Sequence, residues 1–416
     1  MNGQNTISAT IITIGDELLI GQTIDTNSAW IASALNKIGI NIEKRIAIGD
    51  NWNQIWDCLE QENQSSSLVL ITGGLGPTSD DITKPLLCKF FNGNMIIDDA
   101  ALANVKNIFQ NILKRPLLER NLKQAEVPDT CTVIKNERGT APGMWFEKNN
   151  TIFVSMPGVP HEMKGMMSNY VIPVLKKRFE LKPIIHRTLL TAGIGESFLA
   201  EMLIDFEKNL PEQIKLAYLP NYGMVRLRLS ASMQQSDEKT IDHEFEQLKA
   251  LLKDHIVADK DINIQEAIAN IFIEKNLTLS IAESCTGGYI SHLLTSIPGS
   301  SRFFLGGMVS YANEVKRDLL DVPQTLIDLH GAVSIQTVEK MAEGVRKKTG
   351  SDIALATSGV MGPGGGSEEK PVGFVCVAVS TTNKTISTTF QFRFDRTRNI
   401  ELTAVQALNF MRKNME

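Results

Sequence analysis

From Ile7 the chain alternates short β-branched runs with amphipathic helical patterns: Ala9 to Ile14, Asn27 to Ile38, Ile42 to Ile48, Trp52 to Glu62, Leu68 to Thr72. Strand, helix, strand, helix, strand in that order restricts the fold more than any other feature, because short crossovers of this kind build a parallel sheet in an α/β domain. Open parallel sheets take their ligands at the carboxyl ends of the strands. The first strand ends in I-G-D-E-L and the third in T-G-G-L-G-P-T-S-D-D.

The alternation lapses after about Arg178, where Pro173 and Pro183 bracket a polar stretch. A smaller α+β unit is expected next: a strand at Arg187 to Ala192, a helix from Glu196 to Leu210, a hairpin around Asn221 to Gly223, and a charged helix from about Ser236 to His255. Gly193-Ile194-Gly195-Glu196 is read as a tight strand-to-helix turn, since its spacing and lack of basic neighbours do not suit a nucleic-acid grip. Near Asp259 the α/β alternation resumes, with helix Gln265 to Asn276, strand Leu277 to Ala282, helix Tyr289 to Ser296, strand Phe304 to Tyr311, and strands Ile353 to Thr357 and Phe374 to Val379. Ser334 is expected to cap a helix running to Lys347, and a last helix follows Asp395.

A length of 416 residues suits two to four domains. Net charge is −5 with no run of like charge, which argues against duplex nucleic acid as a main partner. The five cysteines are scattered and never spaced C-x-x-C, so neither a disulfide framework nor a structural zinc site is expected, and six histidines do not make a histidine metal site. No segment offers about 18 uninterrupted apolar residues, so no membrane partner is expected and the chain is read as soluble and cytoplasmic.

Three C-terminal segments carry chemistry. In Ala282-Glu283-Ser284-Cys285-Thr286-Gly287-Gly288 a sharp turn presents a hydroxyl or thiol nucleophile beside helix amides that can hold an oxyanion or phosphate, although a serine at such a place also serves as a helix cap. Tyr311-Ala312-Asn313-Glu314-Val315-Lys316 places a lysine about one helical turn beyond a tyrosine. A lysine deprotonates serine only when neutral, so Lys316 must be desolvated, with Tyr311 relaying the proton or orienting the amine. The loop from Ser358 and Gly359 through Gly364 and Gly365 to Gly373 offers backbone N–H groups to an anion without Walker spacing, and Arg396 adds a cation if the last helix starts beside it.

In the N-terminal half, Gly73, Gly74 and Gly76 let a phosphate approach the backbone, while Asp80 and Asp81 would repel it unless a cation intervenes. A magnesium-like divalent ion bridging carboxylate and phosphate is the physical inference, set against the plainer one that either aspartate caps the following helix.

A-E-S-C-T-G-G, Y-A-N-E-V-K, S-G-V-M-G-P-G-G-G-S-E-E-K-P-V-G and F-D-R, in this order, resemble the C-terminal domain of the CinA (competence/damage-inducible protein A) family. Gly15-Asp16-Glu17-Leu18-Leu19, Asp25-Thr26-Asn27, the glycine motif, Asn136 through Gly143 and Pro157 through Met163 resemble the molybdopterin-binding-like domain that opens CinA proteins. The resemblance implies three domains: molybdopterin-binding-like over 4–175, KH-like α+β over 176–257, and a C-terminal α/β amidohydrolase domain over 258–416. It implies a bifunctional pyridine-nucleotide salvage enzyme and a homodimer. The C-terminal domain is expected to deamidate nicotinamide mononucleotide without a metal, Ser284 being the nucleophile, Tyr311 and Lys316 its activators, and Thr286, Gly287, Gly288, Ser358, Gly359, Gly364, Gly365 and Arg396 binding substrate. The N-terminal domain is expected to hydrolyse ADP-ribose to AMP and ribose 5-phosphate with a divalent ion (magnesium- or cobalt-like) at Asp80 and Asp81, and Gly73, Gly74, Gly76, Asp16 and Asn27 binding substrate. The competing expectation is a non-catalytic molybdopterin- or nucleotide-binding protein, or a competence accessory.

Overall fold

The structure, a computed structural model, describes residues 7–415 except 79, 180, 222 and 233–236. It divides into two compact units, one essentially N-terminal to His186 and one C-terminal to it.

In the first unit β1 (Ser8–Ile14), β2 (Asn41–Ile48) and β3 (Leu68–Thr72) are joined by helices Thr26–Asn36 and Trp52–Ser65, each with a side-chain cap at its start, Asp25 onto the Ser28 amide and Asn51 onto the Gln54 amide. After a small antiparallel ribbon of β4 (Met95–Ile97) and β5 (Glu126–Pro128) come β6 (Thr132–Ile134), β7 (Gly143–Lys148) and β8 (Thr151–Met156). The six-stranded sheet runs β2-β1-β3-β8-β7-β6. Strands β2, β1, β3 and β8 are parallel, as the alternation predicts, whereas β7 runs against both its neighbours, β8 and β6. The reversal has a local cause: Asn149 and Asn150 both take positive φ, the two-residue turn that folds right-twisted strands into a hairpin. β1 is buried on both faces, sending Ile11 into one core cluster and Ile12 into another, which is why it reads as an unbroken apolar run.

In the second unit β9 (Ile184–Ala192), β10 (Ile214–Asn221), β11 (Met224–Ser232) and β12 (Ile256–Ala258) form a sheet of order β10-β11-β9-β12. The helix expected from Glu196 to Leu210 is two, Glu196–Met202 and Ile204–Asn209, broken at Leu203. The charged helix runs Glu238–Leu251 and is capped by Asp237; Ser236, its expected start, lies outside the described residues.

β13 (Leu279–Glu283), β14 (Phe304–Val309), β15 (Ile353–Gly359), β16 (Phe374–Ser380) and β17 (Thr385–Gln391) make the last sheet, ordered β14-β13-β15-β16-β17, in which β16 runs antiparallel to both its neighbours. β17 was not foreseen, because its threonines leave little apolar alternation. On one face Leu279, Ile281 and Leu355 pack under helices Ile264–Lys275 and Arg396–Asn414. On the other, the small residues Ala282, Ala354 and Ala356 admit helix Ile335–Thr349, capped by Ser334 as expected. Leu190, Ala192, Met224 and Val257 of the middle sheet belong to the first of these clusters, so the two domains share a core.

Candidate active sites

β13 brings Glu283 to the end of the last sheet, and the chain turns through residues 284–288 into helix Tyr289–Thr295. The Ser284 amide donates to Thr357 O (3.0 Å), tying the turn to β15. Gly288 occupies the position before the helix in the left-handed region (φ 98°), where a side chain would be strained. Cys285 turns into the core, 5% exposed, and burial pushes its thiol up to about 12, so it is neither ionised nor presented. Ser284 is buried, 9% exposed, and no hydrogen bond holds its hydroxyl among the described residues.

Lys316, on helix Asn313–Leu320, is 1% exposed. Its Nζ donates to the carbonyls of Ser310 (2.8 Å) and Tyr311 (3.0 Å), and the Ser310 amide donates to Glu283 O (2.8 Å), which sets the amine beside the strand end that carries Ser284. Burial pushes the lysine below its ordinary 10.5. A neutral amine has two N–H groups and one lone pair. The two carbonyls take both N–H groups and leave the lone pair for a third direction.

Tyr311 corrects an expectation. Its ring is 59% exposed, and its hydroxyl accepts from Arg396 Nη2 (2.9 Å) rather than facing Lys316, which reaches only its backbone. Arg396 opens the last helix behind the Asp395 cap and also donates to Gly362 O (2.8 Å), linking the tyrosine to the glycine-rich loop. Wholly buried Asn399, which the sequence reading passed over, pins that loop through Met361 O (3.1 Å). At the loop's base Ser358 Oγ is spent on Ala332 O (2.7 Å) and Gly359 packs on the backbone of Phe374; Gly364 and Gly365 stand exposed at its tip.

The expected cradle of amides is narrower than the sequence implied. Gly288 N donates to Glu283, Gly287 N to Ser284 O, and the Thr286 hydroxyl pairs with that of Thr357. Among the described residues this leaves the amides of Cys285 and Thr286 without a backbone carbonyl to donate to.

The first unit carries a cavity of about 430 Å³ at the carboxyl ends of its parallel strands. Gly73, Gly74 and Gly76 line it with Gly15, Gly158, Thr140 and Gln124. Gly73, at φ 117°, lies so near the Ile14 carbonyl that a Cβ would stand 2.1 Å from it, so the loop needs glycine there. Five carboxylates also line the cavity, Glu17, Asp50, Asp80, Asp81 and Glu162, and among the described residues no lysine, arginine or histidine does. Asp81 folds back on its own loop, accepting from the amides of Gly76 (2.8 Å) and Thr78 (2.9 Å), while the helix begins after Ile82; neither aspartate caps it. Asp80 is exposed.

Asp16 and Asp50 exchange hydrogen bonds, each carboxylate taking the other's amide (3.1 and 3.2 Å). Burial and the charges of Asp16, Glu17 and Asp80 push Asp50 up. Asn27 Nδ2 donates to Gly158 O (2.7 Å) and Thr72 Oγ1 (3.0 Å), bracing the cavity rim. Glu162 accepts from Asn136 Nδ2 (2.6 Å) and is pushed up by burial. Asp50 and Glu162 were missed, yet Asp50 follows a parallel strand's carboxyl end and Glu162 adjoins His161 in a motif already singled out. Among the described residues no three His, Cys, Asp or Glu side chains converge as a ready-made metal cage. The all-oxygen donor set nonetheless fits a hard cation that takes one or two carboxylates and completes its shell with phosphate oxygens and water.

Three family profiles match: "Probable molybdopterin binding domain" over residues 10–177, "Damage-inducible protein CinA KH domain" over 186–258 and "CinA C-terminal domain" over 261–415. A CinA-like protein of Cytophaga hutchinsonii is 42% identical over 412 residues, covering 99% of this chain and 98% of its own. One from Flavobacterium psychrophilum is 44% identical, covering 98% and 99%. Among solved structures, "the protein CinA with unknown function" from Thermoplasma acidophilum matches 41% of this chain and 99% of its own at 32% identity and TM-score 0.38. No helix of the described residues is long and apolar enough to cross a membrane. With near-complete coverage at such identity, the chain belongs to the CinA family.

Proposed function

We propose that the C-terminal site hydrolyses the carboxamide of nicotinamide mononucleotide to the acid and ammonia. The observation that carries this reading is the bonding of Lys316: a buried amine whose two N–H groups are taken by carbonyls is set up to act as a neutral base. Its lone pair accepts the Ser284 proton directly, without the Tyr311 phenol. Ser284 Oγ attacks the carboxamide carbon, and the amides of Cys285 and Thr286 are the free donors for the oxyanion. Lys316 returns the proton to the departing nitrogen, releasing ammonia, and water cleaves the acyl-enzyme by the same path. Arg396, steadied by Tyr311 and Gly362, and the amides at Gly364 and Gly365 suit the substrate phosphate. Ammonia release from nicotinamide mononucleotide tests the reading: it should vanish in Ser284→Ala and persist in Cys285→Ala, and the reverse would move the nucleophile to the thiol.

A second reading concerns the N-terminal cavity, favoured by its five carboxylates without a lining cation. We infer that it hydrolyses the pyrophosphate of ADP-ribose to AMP and ribose 5-phosphate, with a divalent ion held by Asp80 and Asp50. The ion would offset the charge of the pyrophosphate, which these acids alone would repel. Gly73, Gly74 and Gly76 let the phosphates approach the backbone, and Glu162 is the group suited to exchange a proton there. Asp81 serves to shape the loop. Full AMP release in the presence of a chelator would defeat the metal requirement. The competing view, a carrier or accessory without catalysis, predicts neither ammonia nor AMP. A homodimer and a cytoplasmic location remain proposals, read with the family.

A further inference from the structure

Gly288 stands at the start of helix Tyr289–Thr295 and has no side chain with which to cap it. The cap comes instead from Glu283, at the end of β13. Its Oε2 accepts the amides of Gly288 (3.0 Å) and Ile290 (3.1 Å), and its Oε1 accepts the amide (2.8 Å) and hydroxyl (2.6 Å) of Ser291. The residue is wholly buried, and among the described residues no lysine, arginine or histidine pairs with it. A lone cap needs one or two donors, whereas four here converge on one carboxylate.

Two further facts give that arrangement a purpose. The side chain and main chain of Glu283 bind different halves of the site: the carboxylate fixes the far end of the turn that begins at Ser284, and the carbonyl takes the Ser310 amide (2.8 Å), whose own carbonyl takes Lys316 Nζ (2.8 Å). The Glu283 carboxylate accepts its hydrogen bonds from Gly288, Ile290 and Ser291, and Lys316 Nζ donates its own to the carbonyls of Ser310 and Tyr311. A buried carboxylate one residue from the nucleophile is thus engaged with the turn and not with the lysine.

We propose that Glu283 is the positioning residue of the amide hydrolysis described above, on which this inference rests, holding nucleophile and base in one frame. Glutamine cannot replace it, because one acceptor oxygen would be lost and an NH₂ group would face N–H donors. Loss of the frame acts on transition-state geometry more than on substrate affinity, where displacements near 1 Å cost ~10²-fold.

In E283Q, kcat for ammonia release from nicotinamide mononucleotide should fall ~10²-fold, with KM within about twofold and the acid limb of the pH profile unmoved. In E283A, formate, a carboxylate small enough for the space left, should restore part of kcat without changing KM. If E283Q does not fold, E283D, with its carboxylate on a shorter arm, takes its place in the same measurement. Wild-type kcat in the substituted enzyme, a limb that moves with it, or no response of E283A to formate would each overturn the proposal. A wild-type protein that releases no ammonia would instead defeat the hydrolase reading itself.

Discussion

The two candidate sites solve opposite electrostatic problems. At Ser284 a single amine is buried, which favours its neutral form, and the acid nearest in sequence, Glu283, is turned onto backbone amides. In the N-terminal cavity five carboxylates gather, with no basic side chain among the described residues that line it. Lys84 is close by, but it is buried behind the wall, donating to the Gln124 carbonyl (3.0 Å), and burial brings it down to about 8. On the proposed reading one site makes its own reagent by desolvation, and the other accumulates negative charge that a phosphate substrate cannot meet unaided. The same strand-to-helix architecture supports both because the fold fixes only where a ligand enters, not which charges await it.

Four measurements would break or sharpen that contrast. The largest effect is expected from Ser284→Ala, which should reduce ammonia release ~10⁴-fold or more while leaving AMP release from ADP-ribose intact. Next, Lys316→Met should cost ~10²–10⁴-fold. In the wild type kcat/KM should rise with pH and level off above the lysine's pKa, with that limb below 10.5 because burial favours the neutral amine; a limb falling over that range would contradict a neutral base. Third, chelation or Asp50→Asn should lower AMP release ~10-fold or more and leave ammonia release unchanged, so a parallel loss of both would mean that the sites are not independent. The smallest effect is on stability. Lys84 binds its proton less tightly folded (about 8) than unfolded (10.5), so its cost is full below pH 8 and fades as pH rises toward 10.5. Lys84→Met should therefore stabilise the protein at pH 7 by about 1–2 kcal/mol, an advantage that shrinks in alkaline melts.

What the sequence revealed follows from the range of the interactions involved. Strands with periodic apolar faces and helices with local caps, such as those at Ser334 and Asp395, were legible because their determinants lie within a few residues. The need for a desolvated Lys316 was legible too, since it follows from chemistry. Its actual partners were not: the carbonyls of Ser310 and Tyr311 meet the amine because the helix Asn313–Leu320 turns Lys316 back toward the segment that follows β14. Placing Tyr311 between amine and hydroxyl failed because spacing gives proximity along the chain and not the direction of a ring. Asp50 and Glu162 escaped notice because they reach the cavity from segments separated by the glycine loop. The antiparallel end of the first sheet depended on two asparagines whose turn-forming role went unread.

The apolar cluster joining Leu190, Ala192, Met224 and Val257 to Ile264, Ile268 and Leu408 means that the small middle sheet is not an appendage. Heat or denaturant should take the segment from His186 onward apart in one cooperative step, seen as a single calorimetric peak. A fragment begun at residue 258 would carry a raw hydrophobic face and would gather into aggregates unless another copy of itself covered it.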